Sequence, residues 1–190
     1  MTASRPDISV IAINGKAPHI HSSAFIAPGC RIIGDVEIGE DASIWYNCVL
    51  RADVNRIVIG ARSNIQDGTV IHCDSPKPKR PQGFPTIIGE DVLIGHMAMI
   101  HGSTLEDRAF VGLGAIVMDG CRIGSNAMLA AGAMLTQGKV IEAGQMWMGR
   151  PAAFARDLTE AALAEMRAGV AGYVVNGRLH AEALHGGAEG

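Results

Sequence analysis

Aliphatic residues recur at every sixth position along most of this 190-residue chain. They stand at Ile20, Ile26, Ile32, Ile38, Ile44 and Leu50, then at Ile59, Ile65 and Ile71, then at Ile88, Ile94 and Ile100. A last run goes from Leu105 through Val111, Val117, Ile123, Leu129, Leu135 and Ile141 to Trp147. Sixteen of the nineteen steps are six residues long. That beat fits neither an amphipathic helix, which repeats every ~3.6 residues, nor a strand of simple alternation. Four positions after each beat the side chain is usually small or β-branched, as at Val36, Ala42, Cys48, Val54, Ser63, Thr69, Ala98, Thr104, Ala115 and Ala133.

A period of six is satisfied by a parallel β-helix, in which three six-residue units make one triangular coil. The aliphatic residue fills the prism and the small one fits its corner. Such a core needs no aromatics, which explains a chain 48% hydrophobic but only 4% aromatic, with 24 glycines. The expected fold is therefore all-β, over residues 1–150. Three steps break the beat: three extra residues between Leu50 and Ile59, eleven between Ile71 and Ile88, and one too few between Ile100 and Leu105. The longest insertion holds four prolines, Gly83 and the basic run Lys77 to Arg80, so it reads as a solvated loop projecting from a corner. After Pro151 the apolar spacing becomes helical, which predicts a helix from about Leu158 to Asn176, within a segment 151–190, packed along one prism face.

A net charge of −3 gives no reason to expect a nucleic-acid partner. There is no apolar run of the ~18 residues that would span a bilayer. The opening to Ile20, with Arg5, Asp7 and Lys16, lacks a secretory apolar block, so a cytoplasmic location is the default expectation. Cys30, Cys48, Cys73 and Cys121 form no CxxC pair and read as free thiols, with Cys73 the one placed beside a candidate site.

Of seven histidines, His19, His21, His180 and His185 sit in or near terminal segments and read as solvated. If each broken step still advances one face, Leu50, Ile71 and Ile100 stack on one face of successive coils. Arg51, His72 and His101 then stack outside them, and a strand spacing of ~4.8 Å lets the two imidazoles share a metal. His96 falls on the preceding face, above Asp67. Three identical prisms around a threefold axis would bring the His72 and His101 face of one subunit to the His96 face of the next. That homotrimer would make a three-histidine site with an open fourth position, as in catalytic rather than structural zinc.

RAD at Arg51 to Asp53, NIQDG at Asn64 to Gly68, IH at Ile71 and His72, and GHMAMIHG at Gly95 to Gly102 resemble the γ-class carbonic anhydrases over about residues 10 to 185. The resemblance implies a left-handed β-helix, an exception to the usual right-handed crossover. It also implies a trimer whose zinc, with iron or cobalt as alternatives, is bound by His72, His96 and His101. Arg51, Asp53 and Asp67 would form ion pairs between subunits. Gln66 and Asn64 would position solvent or substrate, and Tyr173 resembles a tyrosine brought near the metal from the C-terminal segment. Where prototype members carry shuttle glutamates, this chain has Val54 and a loop with Asp74 but no glutamate.

The function implied is reversible hydration of carbon dioxide to bicarbonate. Three neutral imidazoles let zinc lower the pKa of its water to ~7, giving a hydroxide that attacks CO₂. Two other readings compete: an acyl-CoA thioester hydrolase or acyltransferase, whose CoA phosphates would meet the basic loop, and a trimeric assembly module with a vestigial site.

Overall fold

The structure, a computed structural model, describes residues 7–186. Arg5 of the charged opening, the tail beyond residue 186 and the side chain of His185 lie outside the described residues. Short strands stack into a parallel solenoid of about eight turns. On what we call the histidine face, the register runs Leu50↔Ile71↔Ile100↔Val117↔Leu135, so each broken step does advance one face. A second face stacks Ile26, Ile44, Ile65, Ile94, Val111 and Leu129. The long strands Arg31–Ile38 and Val49–Ile59 begin on the histidine face and turn onto the third, which stacks Ile38, Ile59, Ile88, Leu105, Ile123 and Ile141.

The sixfold beat is the core. Ile32, Ile44, Leu50, Ile65, Ile71, Ile94 and Ile100 are wholly buried, and each such side chain contributes roughly 1.5–3 kcal/mol relative to exposure. Ala42, Cys48, Ser63, Thr69, Ala98, Ala115 and Ala133 fill the corners as expected. Val54 and Thr104 do not: both are exposed. Ladder register shifts opposite residues 53–56, which turn the extra residues outward and carry Val54 with them. The shortened step after Ile100 hands the corner to Ser103, leaving Thr104 on the outer surface.

The long insertion folds back on itself through bridges Asp74↔Phe84 and Lys77↔Arg80, tied down by Asn55 Nδ2 donating to the carbonyls of Asp74 and Gln82. It is less solvated than its composition suggests. Asp74 pairs with Lys77 at 2.8 Å and Arg80 at 3.5 Å, and the Arg80 guanidinium lies 3.9 Å above the Phe84 ring. Lys79 alone of the basic run stays free of ion pairs among the described residues.

Gln145–Met148 is the last rung of the second face, with Trp147 stacked on Leu129, and Ala153–Asp157 folds back on it as an antiparallel strand that the sixfold beat does not foreshadow. Helix α1, Glu160–Gly186, then packs on the second face, hereafter the helix face. It runs ten residues beyond the predicted end at Asn176. Gly177 is why: it is buried against Phe25 and Ser43, where its missing side chain permits close approach rather than ending the helix. His180, expected to be solvated, is half-buried as a result. Its Nδ1 meets the Tyr46 hydroxyl at 2.8 Å and its ring packs 4.9 Å from Trp45. His19 and His21 are exposed as expected. No helix among the described residues is long and apolar enough to cross a membrane.

Candidate metal centre

Strands Val70–His72 and Met99–His101 lie in register, with Ile71 and Ile100 pointing inward. Alternation along a strand turns the next residue outward, so His72 and His101 stack on the outer surface above Arg51. Their rings are 5.0 Å apart, with His72 Nδ1 3.0 Å from His101 Nε2.

The remaining ring nitrogens face carboxylates. His72 Nε2 is 3.1 Å from Asp53 Oδ1, and His101 Nδ1 is 2.5 Å from Asp119 Oδ1. An ionised carboxylate only accepts, so each of these nitrogens carries the proton. In the neutral rings the two facing nitrogens then both present lone pairs, an arrangement that is repulsive until a cation sits between them. Ligands at ~2.0–2.1 Å from a tetrahedral zinc lie about 3.4 Å apart, so a small ring rotation suits this pair. A histidine that binds a metal usually donates its other ring N–H to a carboxylate, as both of these do, so the donor set fits.

Burial pushes the His72 imidazole below its ordinary pKa, partly offset by Asp53. The neutral, ligating form is thereby favoured. Desolvation works to raise the Asp53 carboxyl, but hydrogen bonds from His72 and from Arg51, at 2.7 Å, hold it below its usual value. Asp53 thus stays an anion, and Arg51 pairs with it inside the same chain.

His96 repeats the pattern at the other edge of the histidine face. Its Nδ1 is 2.8 Å from Asp67 Oδ2, which leaves Nε2 outward on a half-exposed ring. Beside it Gln66 Nε2 donates to Asn64 Oδ1 at 3.1 Å; both side chains are buried, and Asn64 Nδ2 has no hydrogen-bond partner. Tyr173 of α1 packs edge-on against Trp45 at 5.3 Å, and burial followed by the charge of Asp67 raises its hydroxyl pKa. The nominated residues therefore separate into two half-sites. His72, His101, Arg51 and Asp53 form one, and His96, Asp67, Gln66, Asn64 and Tyr173 the other.

The chain turns at His96–Met97 before entering the strand Met99–His101, which sets His96 at a corner of the coil, apart from the stacked pair. In agreement, no group of three or more His, Cys, Asp or Glu among the described residues of a single chain is placed to hold a metal. Between and beside the half-sites Met97, Leu113, Met99 and Met118 expose 71%, 59%, 39% and 39% of their surface, an apolar strip unusual on a solvated face.

Comparison with known proteins agrees with the repeat and extends it. Family models for "Bacterial transferase hexapeptide (six repeats)" and "Hexapeptide repeat of succinyl-transferase" match residues 17–52, and 85–109 and 102–137. "Gamma carbonic anhydrase 2, mitochondrial" of Arabidopsis thaliana is 43% identical over 87% of this chain and 59% of its own length. "Carbonic anhydrase" of Geobacillus kaustophilus is 41% identical over 87% of both chains. The chain belongs to the γ-class carbonic anhydrase family. It spans about three-fifths of the plant relatives' length. Among solved structures, a "hexapeptide transferase family protein" from Anaplasma phagocytophilum superposes with a TM-score of 0.83 at 44% identity, covering 90% of this chain and 96% of that one. A "putative acetyltransferase" from Bacillus cereus gives 0.86 at 37%, covering 92% and 97%.

For this family member, sequence reasoning missed Asp119, the carboxylate nearest any of the three histidines. Register held the signal: Val117 stacks on Ile100, so Asp119 lies just past His101 in the next coil. Gly102, at φ +47°, makes the approach possible, because a Cβ there would strike Asp119 Oδ1 and Phe84 Cβ. Cys73 is fully buried and desolvation lifts its thiol to about 11, so it packs rather than reacts.

Proposed function

We propose that this γ-class family member assembles as a homotrimer, holds zinc between subunits and reversibly hydrates carbon dioxide. The observation that carries the reading is the pair of facing nitrogens on His72 and His101, each set by a carboxylate on the far side of its ring. His96 presents a third nitrogen prepared in the same way, at an edge its own chain cannot bring to the other two. The exposed Met97, Leu113, Met99 and Met118 give three prisms an apolar surface to bury together.

A zinc ion held by three neutral imidazoles would acidify a water to near neutral pH and so supply the nucleophile for CO₂. The protein's own groups prepare for that chemistry. Asp53, Asp67 and Asp119 keep the imidazoles in one tautomer and orientation. Asn64 Oδ1 takes one amide hydrogen of Gln66, which fixes the plane of that amide and leaves Gln66 Oε1 free to accept a hydrogen bond from solvent. Tyr173 stays protonated at neutral pH, its raised pKa keeping it a donor beside Asp67. With Val54 and Asp74 where shuttle glutamates would stand, protons leave by way of water and buffer.

The test is stopped-flow CO₂ hydration on zinc- and iron-loaded protein, beside His101→Ala and a panel of acyl-CoA esters. We expect about one metal per chain and buffer-dependent hydration in the native protein, and neither in the variant, since losing one of three imidazoles leaves too few ligands. Metal-loaded trimers that consume acyl-CoA and leave CO₂ untouched would overturn the reading in favour of acyl transfer. Trimers inert to both would mark an assembly module.

A further inference from the structure

Helix α1 does not seal the whole of the face it covers. Along its first half, at the edge of the helix face far from His96, it leaves a cavity of about 250 Å³. The two sites lie at opposite ends of one strand: Asp91, which lines the cavity, precedes Leu93–Ile94, and His96 follows it. The floor is apolar, with Leu93, Met166 and Val170 buried and Phe110 half-buried.

The rim is cationic. Arg62, Arg108 and Arg167 all line the cavity, and the one carboxylate among the lining residues is Asp91. Asp91 is already matched, because Arg62 Nε and Nη2 grip its two oxygens at 2.7 and 2.9 Å in a bidentate pair. Arg108 donates only to the neutral Asn126 Oδ1 at 3.1 Å, and neither it nor Arg167 has an ion-pair partner among the described residues. The cavity therefore joins a greasy interior to two uncommitted guanidinium groups at its mouth.

We propose that this cavity binds small amphipathic monocarboxylates. Planar guanidinium groups match a carboxylate with paired N–H donors, which makes the head group the natural complement of Arg108 and Arg167. The floor offers no polar side chain, so the remainder of the ligand must be apolar. If a methylene needs the ~30 Å³ that a water occupies in the liquid, the space takes roughly eight carbons. The assignment uses none of the residues of the metal centre and stands apart from the carbon dioxide reading.

Octanoate is the probe, with octanol as the same body without charge and acetate as the charge without the body. Titration calorimetry on the native protein should show saturable octanoate binding, at least tenfold tighter than either control. Arg108→Gln with Arg167→Gln should weaken it at least tenfold, both side chains being exposed and outside the core. Ala171→Trp, an exposed helix position on the cavity wall, should plug the space and abolish binding while the melting temperature holds. Absence of saturable octanoate binding would overturn the proposal. So would octanol binding equally well, unchanged affinity in the double variant, or binding that survives the plug.

Discussion

Asp119 decides which nitrogen His101 can offer. Its carboxylate takes the Nδ1 hydrogen at 2.5 Å, so the lone pair lies on Nε2, turned toward His72. Replacing it by asparagine keeps the shape but removes the charge, and lets the side chain offer a donor instead, which would favour the wrong tautomer. We expect Asp119→Asn to lower zinc affinity about 10–100-fold, measured by competition with a chelator. Unchanged affinity would make Asp119 a bystander, whatever happened to activity. The three histidines could be singled out from sequence because each stands at a fixed offset from a core aliphatic. Asp119 could not be ranked the same way. Its meaning comes from lying beneath a residue eighteen positions earlier, and from Gly102 leaving room for it.

Single strands of two or three residues are too short to persist alone, so each element is held by the coils above and below. On the third face, polar ties add to this. Arg122 reaches Glu106 at 2.7 Å and Glu142 at 2.9 Å, bridging three successive coils. The Arg122 hydrogen bond holds Glu106 below its ordinary value of 4.5, helped by Ser125. Because the folded value is the lower one, the stabilisation is complete above the unfolded pKa and is lost as pH falls through the folded pKa. Glu106→Gln should therefore melt below the native protein at pH 7, and the two should converge as the pH falls through the lowered folded value of Glu106. A gap that persists in acid would show that the pair adds nothing through charge. Helix α1 carries the same lesson about context. Its predicted end at Asn176 followed the last apolar residues at helical spacing, but Gly177 sits against Phe25, and docking carries the helix on to Gly186.

At the scale of the whole molecule, one chain holds two half-sites at opposite edges of a face and closes neither. In the cyclic trimer we propose, each His72 and His101 edge would meet a His96 edge from a neighbour. The arrangement makes a specific demand on mixed assemblies. Trimers of His72→Ala alone or of His96→Ala alone should hold no metal. Any ring that mixes the two contains a single junction where an intact His72 face meets an intact His96, so dissociation and reassembly should restore about one metal per mixed trimer. Recovery is read by metal analysis on rings confirmed as mixed by mass. Mixed rings that stay empty would sink the shared site, because sites built within single chains can never be rescued this way.

By itself the sequence determined the prism, its three breaks and the stacking of His72 on His101. Periodicity is set by strand spacing and by which side chains must leave water, and both are written residue by residue. It also located the loop, since proline and glycine act on the backbone where they stand. Tertiary structure alone decided the rest: Asp119 under His101, Val54 and Thr104 turned outward, His180 drawn beneath α1 to Tyr46, and the open cavity beside Arg108 and Arg167. Each depends on how far apart two surfaces end up after packing. No local pattern records that distance, because it is fixed jointly by coils and a helix that lie far apart along the chain.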